Sequence, residues 1–263
     1  MSETPSLVRL EIASPVAEII LHRPEKRNAL SIEMWRAIPS LIEQASSNED
    51  VKVLIIHGGD AGAFAAGADI SEFSKIYATP EDARASGQII ADALNAVEHC
   101  PKPTLAAIEG ACVGGGVSLA MACDMRVASS EGRFAITPAK LGLVYPAGDT
   151  RRLLQAIGPS ATKRLLYTGK IISAAEALSL RLIDETTPPG HALEAAHSLA
   201  REISSTSQWS TRAIKQMIRG IEGGWTDTTP DATQLFVDGF SNPDFQDGHA
   251  AFLEKRPPKF PFK

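Results

Sequence analysis

Three consecutive glycines, at positions 114–116, stand between two apolar stretches of the chain. The stretch before them, 103–108, has the length and composition of a buried strand, and the stretch after them, 117–122, is apolar like a buried helix. Because glycine carries no side chain, the first backbone N–H groups of that helix are left open, with the positive end of the helix dipole behind them. The junction therefore either binds an anion or a developing oxyanion, or simply lets two backbones pack closely.

A second loop of small residues, 63–68, follows another apolar run at 51–56 and ends where a helix is predicted to begin. Asp69 is well placed in the first turn of that helix, where a negative charge is favourable. Two such loops, each following a buried strand, can each direct one backbone N–H at a single oxygen atom. The sequence therefore predicts an oxyanion hole built from the two loops.

The loop sequences A-G-A-D-I (66–70) and G-A-C-V-G-G-G (110–116) resemble the two signature loops of the crotonase, or enoyl-CoA hydratase/isomerase, superfamily. The likeness begins at H-R-P-E-K-R-N-A-L (22–30) and ends at A-F-L-E-K-R (251–256). It implies an α/β fold, a spiral of β-β-α turns followed by helices that drive trimerisation. It also implies a CoA thioester substrate, whose carbonyl lies between the backbone amides of Ala68 and Gly115.

The same resemblance implies a set of CoA contacts, some of them made to a neighbouring subunit. The basic loop 23–27 is otherwise ordinary solvated surface, the two phenylalanines are otherwise helical core, and the last lysine is otherwise a plain surface charge. The implied contacts are Lys26, Arg27, Ala66, Asp69, Ile70, Phe236, Phe252 and Lys255.

Composition narrows the class of protein. With 263 residues, 44% of them hydrophobic, the chain forms one domain with an appendage or two small domains. A net charge of -5 argues against nucleic acid or an anionic membrane as partner, and no apolar run approaches the roughly 20 residues of a membrane span. Three cysteines without a C-x-x-C pair, and histidines without ligand spacing, favour a metal-free protein of a reducing cytoplasm. We expect no permanently bound cofactor, with coenzyme A present only as part of the substrate.

The order of elements predicts the domain division. An antiparallel hairpin over 7–21 is followed by strands and helices in βαβ order, which indicates an α/β core. From position 150 the pattern is almost wholly helical, with short helices at 153–157 and 161–167 and a brief strand at 182–185. We predict a spiral core with the acyl-CoA site over 1–189, and a C-terminal helical region over 190–263 that assembles a homotrimer or a dimer of trimers.

Two positions set this chain apart from the hydratases it resembles. Hydratases use two glutamates, one three residues after the middle glycine of the turn and one four residues after a strand phenylalanine. Counted in this sequence, those positions hold Ser118 and Pro138. Serine needs a base of its own to act as a general base, and proline has no proton to give. We therefore expect lyase or isomerase chemistry through a thioester enolate, and slow ordinary hydration.

Other residues near the turn are candidates for the proton chemistry, beside Ser118 itself. Tyr145 lies in T-P-x-x-L-G-x-x-Y, a pattern that resembles methylmalonyl-CoA decarboxylases, although those carry histidine where Ala68 stands. Asp149 is either a general acid or base or the N-cap of the helix that follows, and Glu109 is predicted to be structural.

Three other functions are weighed against this one. A decarboxylase uses the same hole, because any thioester enolate places its negative charge there. A protein that binds acyl-CoA without turning it over is consistent with the missing glutamates. A nucleotide phosphate-loop protein is excluded, because the sequence contains no G-x-x-x-x-G-K-[ST].

Overall fold

We describe residues 6–262 of the chain in a computed structural model. The strands are Val8–Ala13 (β1), Val16–Leu21 (β2), Val53–His57 (β3), Ala63–Ala65 (β4), Thr104–Ile108 (β5), Ala111–Val113 (β6), Met125–Ser129 (β7), Arg133–Ala135 (β8), Ile172–Ser173 (β9) and Glu185–Thr187 (β10). The helices are Ile32–Ser47 (α1), Phe73–Ile76 (α2), Pro80–Glu98 (α3), Gly115–Ala122 (α4), Ala147–Thr168 (α5), Ala174–Ser179 (α6), Ala192–Ser204 (α7), Gln208–Glu222 (α8), Pro230–Asp238 (α9) and Pro243–Glu254 (α10). Short 3-10 turns occur at Pro24–Lys26, Gly59–Ala61, Ile70–Glu72 and Pro138–Leu141.

The strands form two sheets. The larger has the order β1-β2-β3-β5-β7-β10, in which only the β1–β2 hairpin is antiparallel. The smaller has the order β4-β6-β8-β9, with β4, β6 and β8 parallel. From β2 onward, neighbouring strands of the larger sheet run in the same direction, as the predicted α/β class requires.

The continuous apolar sequence of the central strands follows from burial on both faces of the larger sheet. In β3, Leu54 and Ile56 join the main core, whereas Val53 and Ile55 face a second cluster under α7. Successive side chains of a strand point to opposite faces, so a strand covered on both sides must be apolar throughout. The second cluster includes three alanines of α7, which let the helix lie close to the sheet.

Helix α7 therefore covers the sheet of the core, although it lies beyond the predicted boundary at position 189. The division into 1–189 and 190–263 stays a prediction. Within residues 6–262, no helix combines the length and apolar character needed to cross a membrane.

Most predicted elements are present with shifted ends. The two helices expected at 153–157 and 161–167 lie on either side of a kink in α5, where Gly158 has a φ of 71°. Pro159 follows it and lacks the N–H that a continuous helix needs. The strand expected at 182–185 was wrong in position, because pairing with β7 begins only at Glu185. Ser31 caps α1 as its sequence indicates, accepting a hydrogen bond from the Met34 amide.

Candidate active site

The two loops predicted to form the oxyanion hole lie side by side. They follow β4 and β6, which pair in parallel and so end at the same edge of the smaller sheet. We call residues 66–69 the first donor loop and residues 113–116 the second. Gly116 needs to be glycine, because a Cβ there would lie 2.6 Å from the carbonyl oxygen of Ala65. The missing side chain is what lets α4 start directly against β4.

The two amides that the resemblance assigns to the hole have no partner within the chain. Over residues 6–262, neither the Ala68 N–H nor the Gly115 N–H has an intramolecular acceptor. Their neighbours do: Asp69 N–H donates to Leu30 O over 3.0 Å, and Gly114 N–H donates to Ala135 O over 2.8 Å. Both free amides belong to partly exposed residues, and Gly115 is the first residue of α4. They can therefore receive an oxygen atom from outside the chain.

The first donor loop is held by the basic loop that precedes α1. Asp69 caps the turn Ile70–Glu72 and binds Arg23 and Lys26 through Oδ2, at 2.7 and 2.9 Å. Hydrogen bonds from Ser71, then from Lys26 and Arg23, hold the pKa of Asp69 well below its usual range. These contacts bring the predicted CoA residues Lys26, Arg27, Ala66, Asp69 and Ile70 together, with the Ala66 amide donating to Arg27 O over 3.0 Å.

A buried asparagine joins the same loops, and the sequence reading did not single it out. Asn28 has a φ of 55° and no exposed surface, and its side-chain amide donates to carbonyls in β4 and in the loop before it. The acceptors are Gly58 O at 2.8 Å, Ala63 O at 3.0 Å and Phe64 O at 3.3 Å. Its place in H-R-P-E-K-R-N was the available signal, because asparagine tolerates a left-handed backbone better than most residues.

The three candidates for proton chemistry form one hydrogen-bonded group. Ser118 Oγ lies 2.6 Å from the Tyr145 hydroxyl and donates to Asp149 Oδ2 over 3.0 Å. Arg152 binds the other carboxylate oxygen of Asp149 at 3.0 Å. All four side chains are buried, and we call them the buried polar cluster. Ser118 thus has the carboxylate that its sequence position alone did not provide.

The pKa values of Tyr145 and Asp149 in the cluster are raised, whereas that of the neighbouring Glu98 is lowered. Burial raises the pKa of Tyr145 far above its ordinary value, and the Asp149 carboxylate adds to the rise. Burial also raises the pKa of Asp149, against the opposing effects of Ser118 and Arg152. Burial alone would raise the pKa of Glu98 too, but Arg151 and Arg152 outweigh it, so that its pKa is lowered. Arg152 is thus shared between the carboxylates of Asp149 and Glu98, and the charge of Glu98 adds to the rise in the pKa of Asp149.

Two residues of this arrangement were missed by the sequence analysis. Arg152 lies three residues after Asp149, and the two share a face only because α5 begins at Ala147, earlier than the helix predicted at 153–157. Glu98, which lies 2.6 Å from Arg152, comes from the end of α3 and has no signal in the sequence. The alternative role of Asp149 as an N-cap is wrong, because Pro146 occupies that position and Asp149 is the third residue of α5.

Other predicted residues lie apart from the loops. Phe236 and Phe252 are 66% and 82% exposed on α9 and α10, so their alternative role as helical core is wrong. Lys255 ends α10, and within residues 6–262 no hydrogen bond or ion pair joins it to the donor loops. Glu109 is structural as predicted: its carboxylate accepts from the amides of Gly190 and Ala192 at the start of α7.

Comparison with known proteins identifies the family. The enoyl-CoA hydratase/isomerase family model matches residues 11–263. The chain belongs to the enoyl-CoA hydratase/isomerase family. It is 32% identical to a short-chain-enoyl-CoA hydratase of Clostridium acetobutylicum, over 95% of each chain. It is 33% identical to a crotonyl-CoA hydratase of Syntrophomonas wolfei, over 95% of this chain and 96% of the relative.

Solved structures agree with this placement. An enoyl-CoA hydratase/isomerase family protein from Hyphomonas neptunium has a TM-score of 0.97 and 62% identity, covering 98% of this chain and 100% of that one. The fold is therefore the crotonase fold expected from the loop sequences. As a family member, the chain is an acyl-CoA enzyme.

Proposed function

We propose that this enzyme binds an acyl-CoA thioester and stabilises its enolate between the N–H groups of Ala68 and Gly115. We further propose that it performs lyase or isomerase chemistry rather than hydration by two glutamates. The observation that carries the second part is the buried polar cluster. Ser118 occupies a position where hydratases have a glutamate, and it contacts Tyr145 and Asp149 instead of presenting a carboxylate of its own.

The chemistry of an enolate supports this reading. Enolate formation moves negative charge onto the thioester oxygen, where two backbone donors are each worth about 10²–10³ in rate. The remaining task is to remove or deliver a proton at carbon, for which one acid or base suffices in isomerisation or decarboxylation. Hydration needs a second group that positions and deprotonates water, and Pro138 occupies the position where we expect that group.

Decarboxylation is the second candidate. It is favoured by Tyr145, whose hydroxyl lies 3.4 Å from the Gly114 carbonyl, in the peptide group that carries the Gly115 N–H. Decarboxylation of a carboxyacyl-CoA leaves an enolate that needs only one proton. A tyrosine beside the start of α4 is suited to supply it, and the sequence around Tyr145 resembles that of methylmalonyl-CoA decarboxylases.

The test is turnover of a panel of enoyl-, hydroxyacyl- and carboxyacyl-CoA thioesters, followed by mass spectrometry. We expect a product with unchanged mass, or one that has lost carbon dioxide, and slow hydration of crotonyl-CoA, well below a typical enzyme kcat of about 10 s⁻¹. The crotonyl-CoA hydratase of Syntrophomonas wolfei is the matched control, because its name states that reaction. Hydration of crotonyl-CoA at the control's rate would contradict the proposal, and binding without turnover of any thioester would favour an acyl-CoA-binding protein.

We also propose that copies of the chain assemble as a trimer or a dimer of trimers. The support is a set of large apolar side chains exposed on the last three helices, including Ile214, Ile218, Phe252 and Leu253. Exposed apolar surface of this kind marks an interaction site. In the assembly we expect Phe236, Phe252 and Lys255 to contact CoA bound to a neighbour. Light scattering that gives a monomer at micromolar concentration would contradict the assembly.

A further inference from the structure

Counting the donors and acceptors of the buried polar cluster shows which group donates each hydrogen bond. Ser118 has one hydroxyl hydrogen, and an ionised Asp149 can only accept. The bond of 3.0 Å between them is therefore donated by Ser118 whenever Asp149 is charged. The contact of 2.6 Å with Tyr145 must then be donated by the tyrosine. In this state the cluster runs from Tyr145 through Ser118 to Asp149, and the tyrosine oxygen can still accept a proton.

The direction reverses when Asp149 is protonated. Asp149 then donates to Ser118, Ser118 donates to Tyr145, and the hydrogen of Tyr145 is released toward the donor loops. Among the described residues, the acceptor for this hydrogen is the Gly114 carbonyl, 3.4 Å away, which is long for a hydrogen bond. The two states of Asp149 thus make Tyr145 either an acceptor or a donor at the same place.

Tyr145 acting alone would be a poor acid. Its loss of a proton would leave a buried tyrosinate, and burial already raises the pKa of this phenol far above the ordinary value of about 10. If Asp149 supplies a proton to Tyr145 through Ser118, no tyrosinate forms, because the negative charge then resides on Asp149. Arg152 is 3.0 Å from the Asp149 carboxylate and stabilises that charge.

On the basis of the proposed function, we infer that Asp149, Ser118 and Tyr145 form a proton relay that both removes and returns the proton at the α-carbon of the thioester. In removal, the C–H bond breaks and its electron pair becomes the enolate held by the Ala68 and Gly115 amides. The proton goes to the Tyr145 oxygen, the tyrosine proton goes to Ser118, and the serine proton goes to Asp149. Return of the proton reverses each transfer, and no tyrosinate or alkoxide remains at either end.

Arg152 and Glu98 are positioning residues for this relay. Arg152 binds Asp149 through Nη1 and Glu98 through Nη2, while Nη2 also lies 3.1 Å from Asn95 Oδ1. These bonds fix the carboxylate so that Oδ2 faces Ser118. Burial, with a smaller contribution from the charge of Glu98, raises the pKa of Asp149, which favours its acting as the proton carrier of the relay.

Exchange of α-hydrogen in D₂O tests the relay without knowledge of the natural substrate. The probes are acetyl-, butyryl- and hexanoyl-CoA, and the readout is deuterium at the α-carbon by mass spectrometry. We expect Ser118→Ala to lower the exchange rate by about 10²-fold or more, the scale of losing a general acid or base. Ser86→Ala is the matched control, since Ser86 is also a buried serine and donates to Ile76 O, outside the site. Calorimetric binding of butyryl-CoA and the melting temperature show whether each variant is folded and binds.

The pH profile separates a relay from a structural role. Exchange begins with proton removal and needs ionised Asp149, so its rate should rise with pH through the pKa of that group, above the ordinary aspartate value of about 4. Ser118→Ala should lose this inflection because Asp149 is then disconnected from Tyr145.

The possible outcomes are distinct. Exchange that survives Ser118→Ala with the inflection intact would overturn the relay and leave the proposed function standing. Absence of exchange in the unaltered protein with every probe would overturn the proposed function, and the relay with it.

Discussion

The two halves of the candidate site are built in different ways. The half that we propose receives the thioester oxygen consists of backbone: the amides of Ala68 and Gly115, in loops that follow two paired strands. The half that we propose handles the proton consists of side chains from three separate segments, with Ser118 on α4, Tyr145 in the loop before α5 and Asp149 on α5. The first depends on glycines and on strand pairing, whereas the second depends on which side chains meet.

This difference explains why the sequence identifies the family but not the reaction. A backbone hole tolerates many neighbouring side chains, so the same two loops can serve hydratases, isomerases and decarboxylases. The side chains of the second half can be substituted without disturbing the loops. The backbone half therefore identifies the superfamily, and the side-chain half distinguishes its members. Four predictions examine that division, from the largest expected effect to the smallest.

Adding a single methyl group at Gly116 should disrupt the backbone half of the site. In Gly116→Ala, the new Cβ would lie 2.6 Å from Ala65 O and 2.9 Å from Ala65 Cβ, so α4 must move away from β4. We expect α-hydrogen exchange to fall by about 10²–10³, as for a lost oxyanion donor. We also expect unfolding free energy to fall by about 1–3 kcal/mol, from overpacking. Gly87→Ala on α3 is the control, because nothing lies within 4 Å of its Cβ. Unchanged exchange in Gly116→Ala would show that the loops need not touch.

Substitutions in the side-chain half should lower the reaction rate and leave the fold intact. Asp149→Asn and Tyr145→Phe nearly preserve shape, so we expect kcat on the true substrate to fall by about 10²-fold or more in each. The thioester should still bind, since the donor loops are untouched. Rapid crotonyl-CoA hydration by the unaltered protein, undiminished in both variants, would contradict the assignment of these residues.

Asp69 links the backbone half to the basic loop, and its loss should affect stability more than catalysis. Asp69→Asn removes the ion pairs with Arg23 and Lys26, and we expect it to lower the free energy of unfolding by about 1–3 kcal/mol at neutral pH. Because the pKa of Asp69 is lowered in the folded chain, its contribution is complete above the unfolded value of about 4 and is lost as the pH falls below it. Urea unfolding of both proteins should therefore show the difference narrowing in acid. A difference independent of pH would indicate that packing, not charge, is responsible.

Glu109 lies just before β6, the strand that leads to the second donor loop, but its carboxylate binds the start of α7. Glu109→Gln keeps one acceptor for the two amides at the start of α7, so we expect a loss of only about 0.5–1.5 kcal/mol in unfolding free energy. The exchange rate should stay within twofold of the unaltered protein. A large loss of exchange would show that the two halves of the site are not the only parts of the sequence that govern it.

Local features were determined by the sequence itself, because their causes lie within a few residues. The apolar run of β3, the cap at Ser31 and the small residues of both donor loops each depend on nearby backbone geometry. From them followed the α/β class and the resemblance to the family, and that resemblance assigned the two amides proposed for the hole. The role of Glu109 was also recognisable, although its partners in α7 were not.

Contacts between distant segments were decided only by the tertiary structure. Glu98 and Arg152 are 54 residues apart, and Lys26 and Asp69 are 43 apart, so no local pattern relates them. The sequence left Ser118 without a base and Asp149 with two possible roles, whereas packing of α4 against α5 places the two side chains 3.0 Å apart. The physical reason is that charge and hydrogen-bond partners depend on spatial neighbours, and only folding determines which side chains become neighbours.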